Sequence, residues 1–349
     1  MPETGNQSLA RYVRQTIFSS LGEAGQRRLL DSRVAIIGCG ATGTVIANHL
    51  ARAGAGFLRI VDRDYIELNN LQRQLLFDEE DMRQGLPKAA AAAIKLRRIN
   101  SEIEIEAVVT DVNPGNVVQL VQDVDLVMDG ADNFETRDLL NDACIKLGKP
   151  WIYTGVIGSY GVSQTIVPGQ SACLRCVLGE MPAPGTTPTC DTAGVLGPAV
   201  AVVASISAGE ALKRLGQFGE PNRGMLHYDL WDNSLEVFDL GGPRADCPAC
   251  GQHDYEFLNA ERGTQTITLC GRNAVQISVN RGADDAVVLD LARLAQVLQP
   301  LGAVRANAYL LKADIDGYQL TIFPDGRAII AGASDPDVAR TLYAKYVGN

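Results

Sequence analysis

A dense group of amide and cationic side chains follows the second predicted strand of the chain. Residues 62–74 read DRDYIELNNLQRQ, and Lys88 begins a predicted helix a short distance further on. Arginine opposes phosphate charge through its forked guanidinium, and lysine does so as a point charge. We therefore predict that Asn70, Arg73, Gln74 and Lys88 bind a triphosphate. The alternative is a solvated surface loop, which would leave this density of Asn, Arg and Gln a coincidence.

Two acids and an amide end another predicted strand. The predicted buried strand over residues 124–128 is followed by Asp129-Gly-Ala-Asp132-Asn133. Oxygen ligands of this kind suit Mg²⁺, so we predict that these side chains hold Mg²⁺ while the α-phosphate is attacked. Arg137, one helical turn further on, could pair with either acid. An Asp-Asn turn also caps helices, and this alternative applies above all to Asn133.

A glycine turn between a strand and a helix offers a site for phosphate oxygens. The run Gly38-Cys-Gly40-Ala41-Thr-Gly43 follows a buried strand and opens a helix, where backbone N–H groups point at a bound anion. Asp62, about 20 residues on, stands where the ribose-binding acid of a dinucleotide fold stands. This turn alone also fits NAD or FAD. The Asn70–Gln74 run and Lys88 are what favour ATP.

Four of the eight cysteines form two C-x-x-C pairs, Cys173 with Cys176 and Cys247 with Cys250. Four thiolates at this spacing predict a closed, structural Zn²⁺ site. A redox C-x-x-C and four unrelated thiols are the alternatives. Cys190 lies apart from these pairs, in a Pro/Thr/Gly-rich stretch that we interpret as a mobile loop before an apolar helix. A helix N-terminus lowers a thiol pKa, which suits a nucleophile.

The arrangement of elements indicates an α/β protein. Strands alternate with helices up to about residue 154, which predicts a Rossmann-like, mostly parallel sheet with its ligands at the carboxyl ends of the strands. Residues 162–167 and 224–240 indicate adjacent strands, so the sheet should continue into antiparallel strands. We predict a first domain over residues 1–258 and a small mixed α+β domain of unknown role over 265–349.

Composition excludes several classes of partner. A net charge of −10 argues against a nucleic-acid-binding or anionic-membrane surface, because both need a basic face. The chain starts without an apolar signal segment and contains no run of the roughly 20 apolar residues that a membrane span requires. Together with cysteines spaced for a metal, this predicts a cytoplasmic protein.

Taken together, these motifs resemble the adenylyltransferase family that includes MoeB, ThiF and HesA, and the adenylation domain of ubiquitin-activating enzymes. The matching segments lie in order between residues 11 and 250. They are Arg11-Tyr-Val-Arg14-Gln, the glycine turn, Asp62-x-Asp64, Asn70 to Gln74, Pro87-Lys88, Asp132-Asn133-x-x-x-Arg137 and both cysteine pairs. One departure is Ala41-Thr42, where Gly-Leu is common in the family; alanine is still small enough for close backbone approach.

The resemblance implies both an activity and a set of site residues. The activity is ATP-dependent adenylation of the C-terminal glycine carboxylate of a ubiquitin-like sulfur-carrier protein ending in Gly-Gly. Asp62 would bind the ribose, Asn70, Arg73 and Lys88 the phosphates, and Asp132 would be the acid on which adenylation depends. Arg14 would reach into the ATP site of the other subunit of a homodimer. Cys190 occupies the position of a loop cysteine that forms a covalent link to the carrier in some members.

The product would be passed to a sulfur source, such as a sulfurtransferase or a cysteine desulfurase, in thiamine or molybdopterin biosynthesis. Two other functions stay open from the sequence. One is an NAD(P)-dependent oxidoreductase built on the same glycine turn. The other is a non-catalytic adaptor that recognises a carrier tail.

Overall fold

A computed structural model describes residues 9–179, 190–261, 263–269, 274–280, 289–306 and 310–348. The larger of its two sheets has eight strands. They are β1 (Arg33–Ile37), β2 (Phe57–Val61), β3 (Glu104–Val108), β4 (Leu126–Asp129), β5 (Trp151–Ile157), β6 (Tyr160–Ile166), β7 (Met225–Asp229) and β8 (Ser234–Phe238). Their order in the sheet is β3-β2-β1-β4-β5-β6-β7-β8. The first five strands pair in parallel and the rest antiparallel. This confirms the predicted Rossmann-like sheet and its antiparallel extension.

Helices cover the parallel part of this sheet on both faces. Within β1, Val34 and Ile36 join a core formed with α2, α3, α5 and α10, whereas Ala35 and Ile37 join one formed with α6 and α7. A strand buried on both faces needs apolar residues throughout, which explains the run Val34–Ile37. The helices up to this point are α1 (Val13–Thr16), α2 (Gly22–Asp31), α3 (Ala41–Ala53), α4 (Glu79–Arg83), α5 (Lys88–Ile99), α6 (Val117–Val121), α7 (Phe134–Leu147), α8 (Leu174–Leu178), α9 (Cys190–Ala193) and α10 (Gly197–Gly216), with 3-10 turns at Leu9–Tyr12 and Leu68–Asn70.

Helix α10 packs as a core helix. It lies against α2, α3, β5 and β6, and Val200, Val203 and Ala204 are buried. The small residues of this helix allow its close approach to α3. Among the described residues, no helix has the length and apolar character needed to cross a membrane.

The second sheet is smaller and consists of six strands. They are β9 (Gly263–Leu269), β10 (Ala274–Asn280), β11 (Ala303–Ala306), β12 (Leu311–Ile315), β13 (Tyr318–Ile322) and β14 (Ala328–Ala331). The sheet is antiparallel throughout, in the order β11-β12-β13-β14-β10-β9. Together with α11 (Leu291–Leu298) and α12 (Pro336–Tyr346), it encloses a core of its own. The predicted division between residues 258 and 265 stays a prediction.

Candidate nucleotide-binding site

The turn after β1 packs tightly against the turn after β4. Gly38 has a φ of 91°, and a Cβ added there would lie 2.4 Å from the carbonyl oxygen of Gly130. Only glycine fits both that backbone conformation and that approach. Gly130 was not singled out from the sequence, although its place directly after a strand-ending aspartate was a usable signal. The carboxyl ends of β1 and β4 thus meet at one edge of the sheet.

Asp62 joins the glycine turn to the loop that follows β2. Its Oδ2 accepts a hydrogen bond from the Cys39 backbone N–H at 2.6 Å, and its Oδ1 accepts one from the Asp64 N–H at 2.8 Å. Burial raises the pKa of Asp62 to about 6, against the lowering effect of the Lys88 ammonium. Each carboxylate oxygen can accept a second hydrogen bond, so both remain available to a ligand hydroxyl.

Lys88 is a buried cation held by acids. Its Nζ donates to Asp64 Oδ2 at 3.1 Å, and its backbone N–H donates to the Asp64 carbonyl at 2.8 Å. Burial alone would lower the pKa of Lys88, but Asp62, Asp64 and Asp132 outweigh that effect and raise the pKa above its usual range. Lys88 is therefore charged at neutral pH, and its position brings it near Asp132 as well as near the β2 loop.

The amide-rich run forms a compact turn beside the glycines. Glu67 and Asn70 form a capping box at the start of the 3-10 helix Leu68–Asn70, in which the Glu67 N–H donates to Asn70 Oδ1 at 3.1 Å. Arg73 Nη1 donates to the Asn69 carbonyl at 2.8 Å. Gln74 is buried, and its Nε2 lies 3.9 Å from where a Cβ on Gly40 would stand. Its Oε1 has no hydrogen-bond partner among the described residues. A buried amide oxygen without a partner is costly, and a ligand donor would relieve that cost.

The two acids after β4 have different surroundings. Asp129 is completely buried, and its oxygens accept hydrogen bonds from the N–H groups of Ala131 (2.8 Å) and Thr154 (3.2 Å) and from Arg137 Nε (3.0 Å). Asp132 is exposed. Arg137 thus pairs with Asp129, which settles the choice left open by the sequence. Burial and the ion pair with Arg137 make Asp129 less suited than Asp132 to bind Mg²⁺, and the expectation that Asp129 does so stays a prediction.

Asn133 caps helix α7. Its Oδ1 accepts a hydrogen bond from the Thr136 N–H at 2.8 Å, and its Nδ2 donates to Asp132 Oδ1 at 3.1 Å. The capping role that the sequence allowed is therefore present. A second role for Asn133 toward a nucleotide stays a prediction.

Arg63 is a residue of this edge that the sequence analysis did not assign. It forms an ion pair with Asp111, which follows β3, and its Nε lies 3.8 Å from Asp64 Oδ1. Burial would lower the pKa of Arg63, but the acids Asp111, Asp64 and Asp132 raise it. The position of Arg63 between Asp62 and Asp64, in the predicted ribose-binding loop, was a usable signal, but its partner after β3 could not be read from the sequence.

Arg14 and Cys190 stay predictions. Arg14 is exposed on α1 and has no hydrogen bond or ion pair with any described residue; a role in a second subunit is not tested by one chain. The backbone of Cys190 begins α9, but its side chain lies outside the described residues. So does most of the stretch that we interpreted as a mobile loop, residues 180–189.

The two cysteine pairs form one cluster. The Sγ atoms of Cys173 and Cys247 are 3.6 Å apart, and those of Cys176 and Cys250 are 3.3 Å apart. All four Sγ atoms lie within 4.8 Å of one another. Four thiolates bound to one ion at about 2.3 Å in a tetrahedron would be about 3.8 Å apart. The donor set and its spacing therefore fit a tetrahedral metal ion, which would join the segment before α8 to residues 247–250.

Comparison with known proteins identifies the family of this chain. The ThiF family profile matches residues 12–249. The chain belongs to the ThiF family. This confirms the resemblance drawn from the motifs, and with it an adenylyltransferase enzyme.

Two relatives and one solved structure show how far the likeness extends. The sulfur carrier protein ThiS adenylyltransferase of Bacillus subtilis (strain 168) is 43% identical over 343 residues, covering 97% of this chain and 99% of that protein. The SAMP-activating enzyme E1 of Haloferax volcanii is 41% identical over 245 residues, 70% of this chain and 89% of that protein. A crystal structure of E. coli MccB with ATP, at 25% identity and a TM-score of 0.61, covers 71% of this chain and 76% of its own. The match to the B. subtilis protein thus also includes the segment that forms the second sheet.

Proposed function

We propose that this protein uses ATP to adenylate the C-terminal glycine carboxylate of a ubiquitin-like sulfur-carrier protein ending in Gly-Gly. The carrier is suggested by the name of the B. subtilis relative, which matches nearly the whole chain. The observation that carries the proposal is the meeting of three features at one sheet edge. These are the glycine turn, the charged Lys88 beside Asp64, and the exposed Asp132.

The proposed reaction is an in-line displacement at phosphorus. A carboxylate oxygen of the carrier forms a bond to the α-phosphorus of ATP, the bond from that phosphorus to the bridging oxygen breaks, and pyrophosphate leaves with the electron pair. The products are an acyl-AMP and pyrophosphate. Because the carboxylate is already a nucleophile, the enzyme needs no general base, and catalysis consists of positioning and charge neutralisation.

Each part of the site has a proposed task. The N–H groups of Gly40, Ala41 and Gly43 at the start of α3 face the phosphates, and Asp62 accepts hydrogen bonds from the ribose hydroxyls. The phosphates bind to Asn70, Arg73, Gln74 and Lys88, with Asp64 holding Lys88 in place. Asp132, beside Asn133, would hold Mg²⁺, an ion that neutralises charge on the departing pyrophosphate. Arg14 of a second subunit would complete the site in a homodimer.

The acyl-AMP then requires a sulfur donor, which we expect to be a sulfurtransferase or a cysteine desulfurase. Cys190 is the proposed acceptor thiol of this chain: its thiolate would form a thioester with the carrier while AMP leaves. A persulfide of the sulfur donor would then displace Cys190, and a thiol reductant would cleave the resulting acyl disulfide. The carrier thiocarboxylate that results would serve thiamine or molybdopterin biosynthesis.

Pyrophosphate exchange into ATP tests the proposal. With Mg²⁺ and a carrier ending in Gly-Gly, labelled pyrophosphate should appear in ATP only when the carrier is present. Exchange should stop when the last glycine of the carrier is deleted. A protein that binds the carrier without exchange would be an adaptor, and one that binds NADH but not ATP would be an oxidoreductase; either result contradicts the proposal.

We also propose that the four-cysteine cluster holds Zn²⁺, and replacing Cys247 with serine tests this. The variant should lose its zinc and unfold about 10 °C lower, because a closed thiolate site stabilises only the folded chain. Zinc content by elemental analysis and Tm by calorimetry are the measurements. Cys270→Ser, which changes a cysteine outside both pairs, is the control and should keep one zinc per chain. A Cys247→Ser variant with full zinc content would contradict the assignment.

Two glycines of the same turn should respond differently to alanine. A Cβ on Gly43 would lie 2.0 Å from the Gly38 carbonyl oxygen, so Gly43→Ala should cost about 1–3 kcal/mol of stability through the forced backbone shift. A Cβ on Gly40 has no atom nearer than Gln74 Nε2 at 3.9 Å. Gly40→Ala should therefore unfold near the wild-type temperature yet bind ATP about tenfold more weakly. Unfolding curves and ATP titration decide; equal ATP affinity in Gly40→Ala and wild type would place the phosphates elsewhere.

A further inference from the structure

Helix α12, which belongs to the second sheet, reaches the loops of the nucleotide site. Arg340 Nη2 lies 2.6 Å from Asp111 Oδ2, and Lys345 Nζ lies 3.8 Å from Glu67 Oε2. The same helix also contacts α9, whose first residue is Cys190. Helix α12 therefore touches the loops after β2 and β3, which lie more than 200 residues earlier in the sequence, and the segment of the proposed thiol, which lies more than 140 residues earlier.

Both acids that α12 contacts, Asp111 and Glu67, hold the loop after β2 in place. Asp111 is shared, because its other oxygen pairs with Arg63, the residue between Asp62 and Asp64. Glu67 caps the 3-10 helix that presents Asn70. The two cations of α12 thus act on acids that fix the start and the end of the segment 62–70.

The burial of this network makes its charges effective. The side chains of Asp111, Arg63 and Arg340 are 14%, 22% and 25% exposed. Charge pairs that are largely removed from water are screened less than surface pairs, and guanidinium–carboxylate bonds also fix direction. Arg340 also pairs with Asp337 one turn earlier on α12, so its guanidinium is held on its own helix while it binds Asp111.

We propose that Arg340 is a positioning residue for ATP: through Asp111 and Arg63 it holds the ribose-binding loop after β2, and Lys345 supports the far end of that loop through Glu67. The inference rests on the proposed function, since it assigns α12 to the same site. It gives the second sheet and its helices a role in nucleotide binding. Arg340 itself touches none of the residues assigned to the phosphates.

The test is Arg340→Met, measured by calorimetric titration with Mg-ATP and by pyrophosphate exchange with a carrier. We expect the Kd and KM for ATP to rise about three- to tenfold while kcat stays within about twofold of wild type, because the loop is misplaced but the reacting groups are intact. Arg340→Lys, which keeps a cation facing Asp111, should recover a large part of the affinity. Arg327→Met, which removes another arginine of the same layer from an ion pair with Asp325, is the matched control and should bind ATP like wild type.

Several outcomes would overturn the inference. An unchanged Kd for ATP in Arg340→Met, an equal loss in Arg327→Met, or a fall in kcat at unchanged KM would each do so. If Arg340→Met does not fold, Asp111→Asn takes its place with the same expected rise in Kd, because it removes the carboxylate that joins Arg340 to Arg63. Wild-type protein that binds Mg-ATP but shows no exchange would refute the proposed function alone, because the titration still decides the role of Arg340. Wild-type protein that does not bind ATP would refute both.

Discussion

Replacing Asp132 with asparagine should reduce pyrophosphate exchange by at least about 10²–10³-fold while ATP still binds. The substitution keeps the size of the side chain and removes one negative charge. Asp132 is exposed, and its charge is one of three that raise the pKa of Lys88. Removing it should therefore disturb the balance of charge around the reacting phosphorus and leave the fold intact. Exchange rates, ATP titration and Tm are the three measurements.

Asp132→Glu serves as the control for this experiment. It restores the carboxylate on a longer arm, so exchange should lie between that of wild type and Asp132→Asn. A Tm within a few degrees of wild type for both variants would show that the fold is unaffected. Full exchange in Asp132→Asn would remove this residue from the mechanism and leave Lys88 and the amide-rich turn as the catalytic features.

The sequence could place these acids but could not separate their tasks. Asp129 and Asp132 end the same strand three residues apart, and both looked suitable for Mg²⁺. What separates them is the Arg137 side chain, which returns from α7 to Asp129, and the Thr154 N–H, which arrives from β5. Neither contact has a local signature, because each depends on how distant segments pack.

In the fold, too, local patterns could be predicted and contacts between distant segments could not. The alternation of strands and helices predicted the parallel sheet, since each βαβ unit is a local pattern. Strands β11 and β12 were not predicted. For β12, the alternation Leu311-Lys-Ala-Asp-Ile315 matches the observed alternation of buried and exposed residues and was a usable signal. For β11 (Ala303–Ala306), the signal is weak and only its pairing with β12 makes the strand clear. The contact of Arg340 with Asp111 could not be predicted either, since an ion pair between distant segments leaves no mark in residue spacing.

The second large effect concerns stability, and Arg137→Met should show it. Arg137 and Asp129 are both buried, with a 3.0 Å hydrogen bond between them. Removing the arginine leaves a carboxylate without its countercharge in the core, which costs about 3–5 kcal/mol. We expect a Tm about 10 °C lower than wild type. The double variant Asp129→Asn/Arg137→Met removes both charges and should recover part of that loss.

The pH dependence separates this explanation from simple loss of packing. Burial raises the pKa of Asp129, and Arg137 is the main group that lowers it. Without Arg137 the folded-state pKa rises further above the unfolded value of 3.8, so the folded state binds more protons than the unfolded state does. The destabilisation of Arg137→Met relative to wild type should therefore grow as the pH rises above the raised pKa of Asp129 in wild type, until the pH passes the still higher pKa in the variant. The double variant has no carboxyl at this position, so its free energy of unfolding should lack that extra dependence on pH. Urea unfolding at several pH values measures the free energy of unfolding of both variants.

An equal pH dependence in the two variants would mean that Asp129 does not need its countercharge. Arg137 would then stabilise the turn after β4 mainly through its bonds to the Ala131 and Thr154 carbonyls.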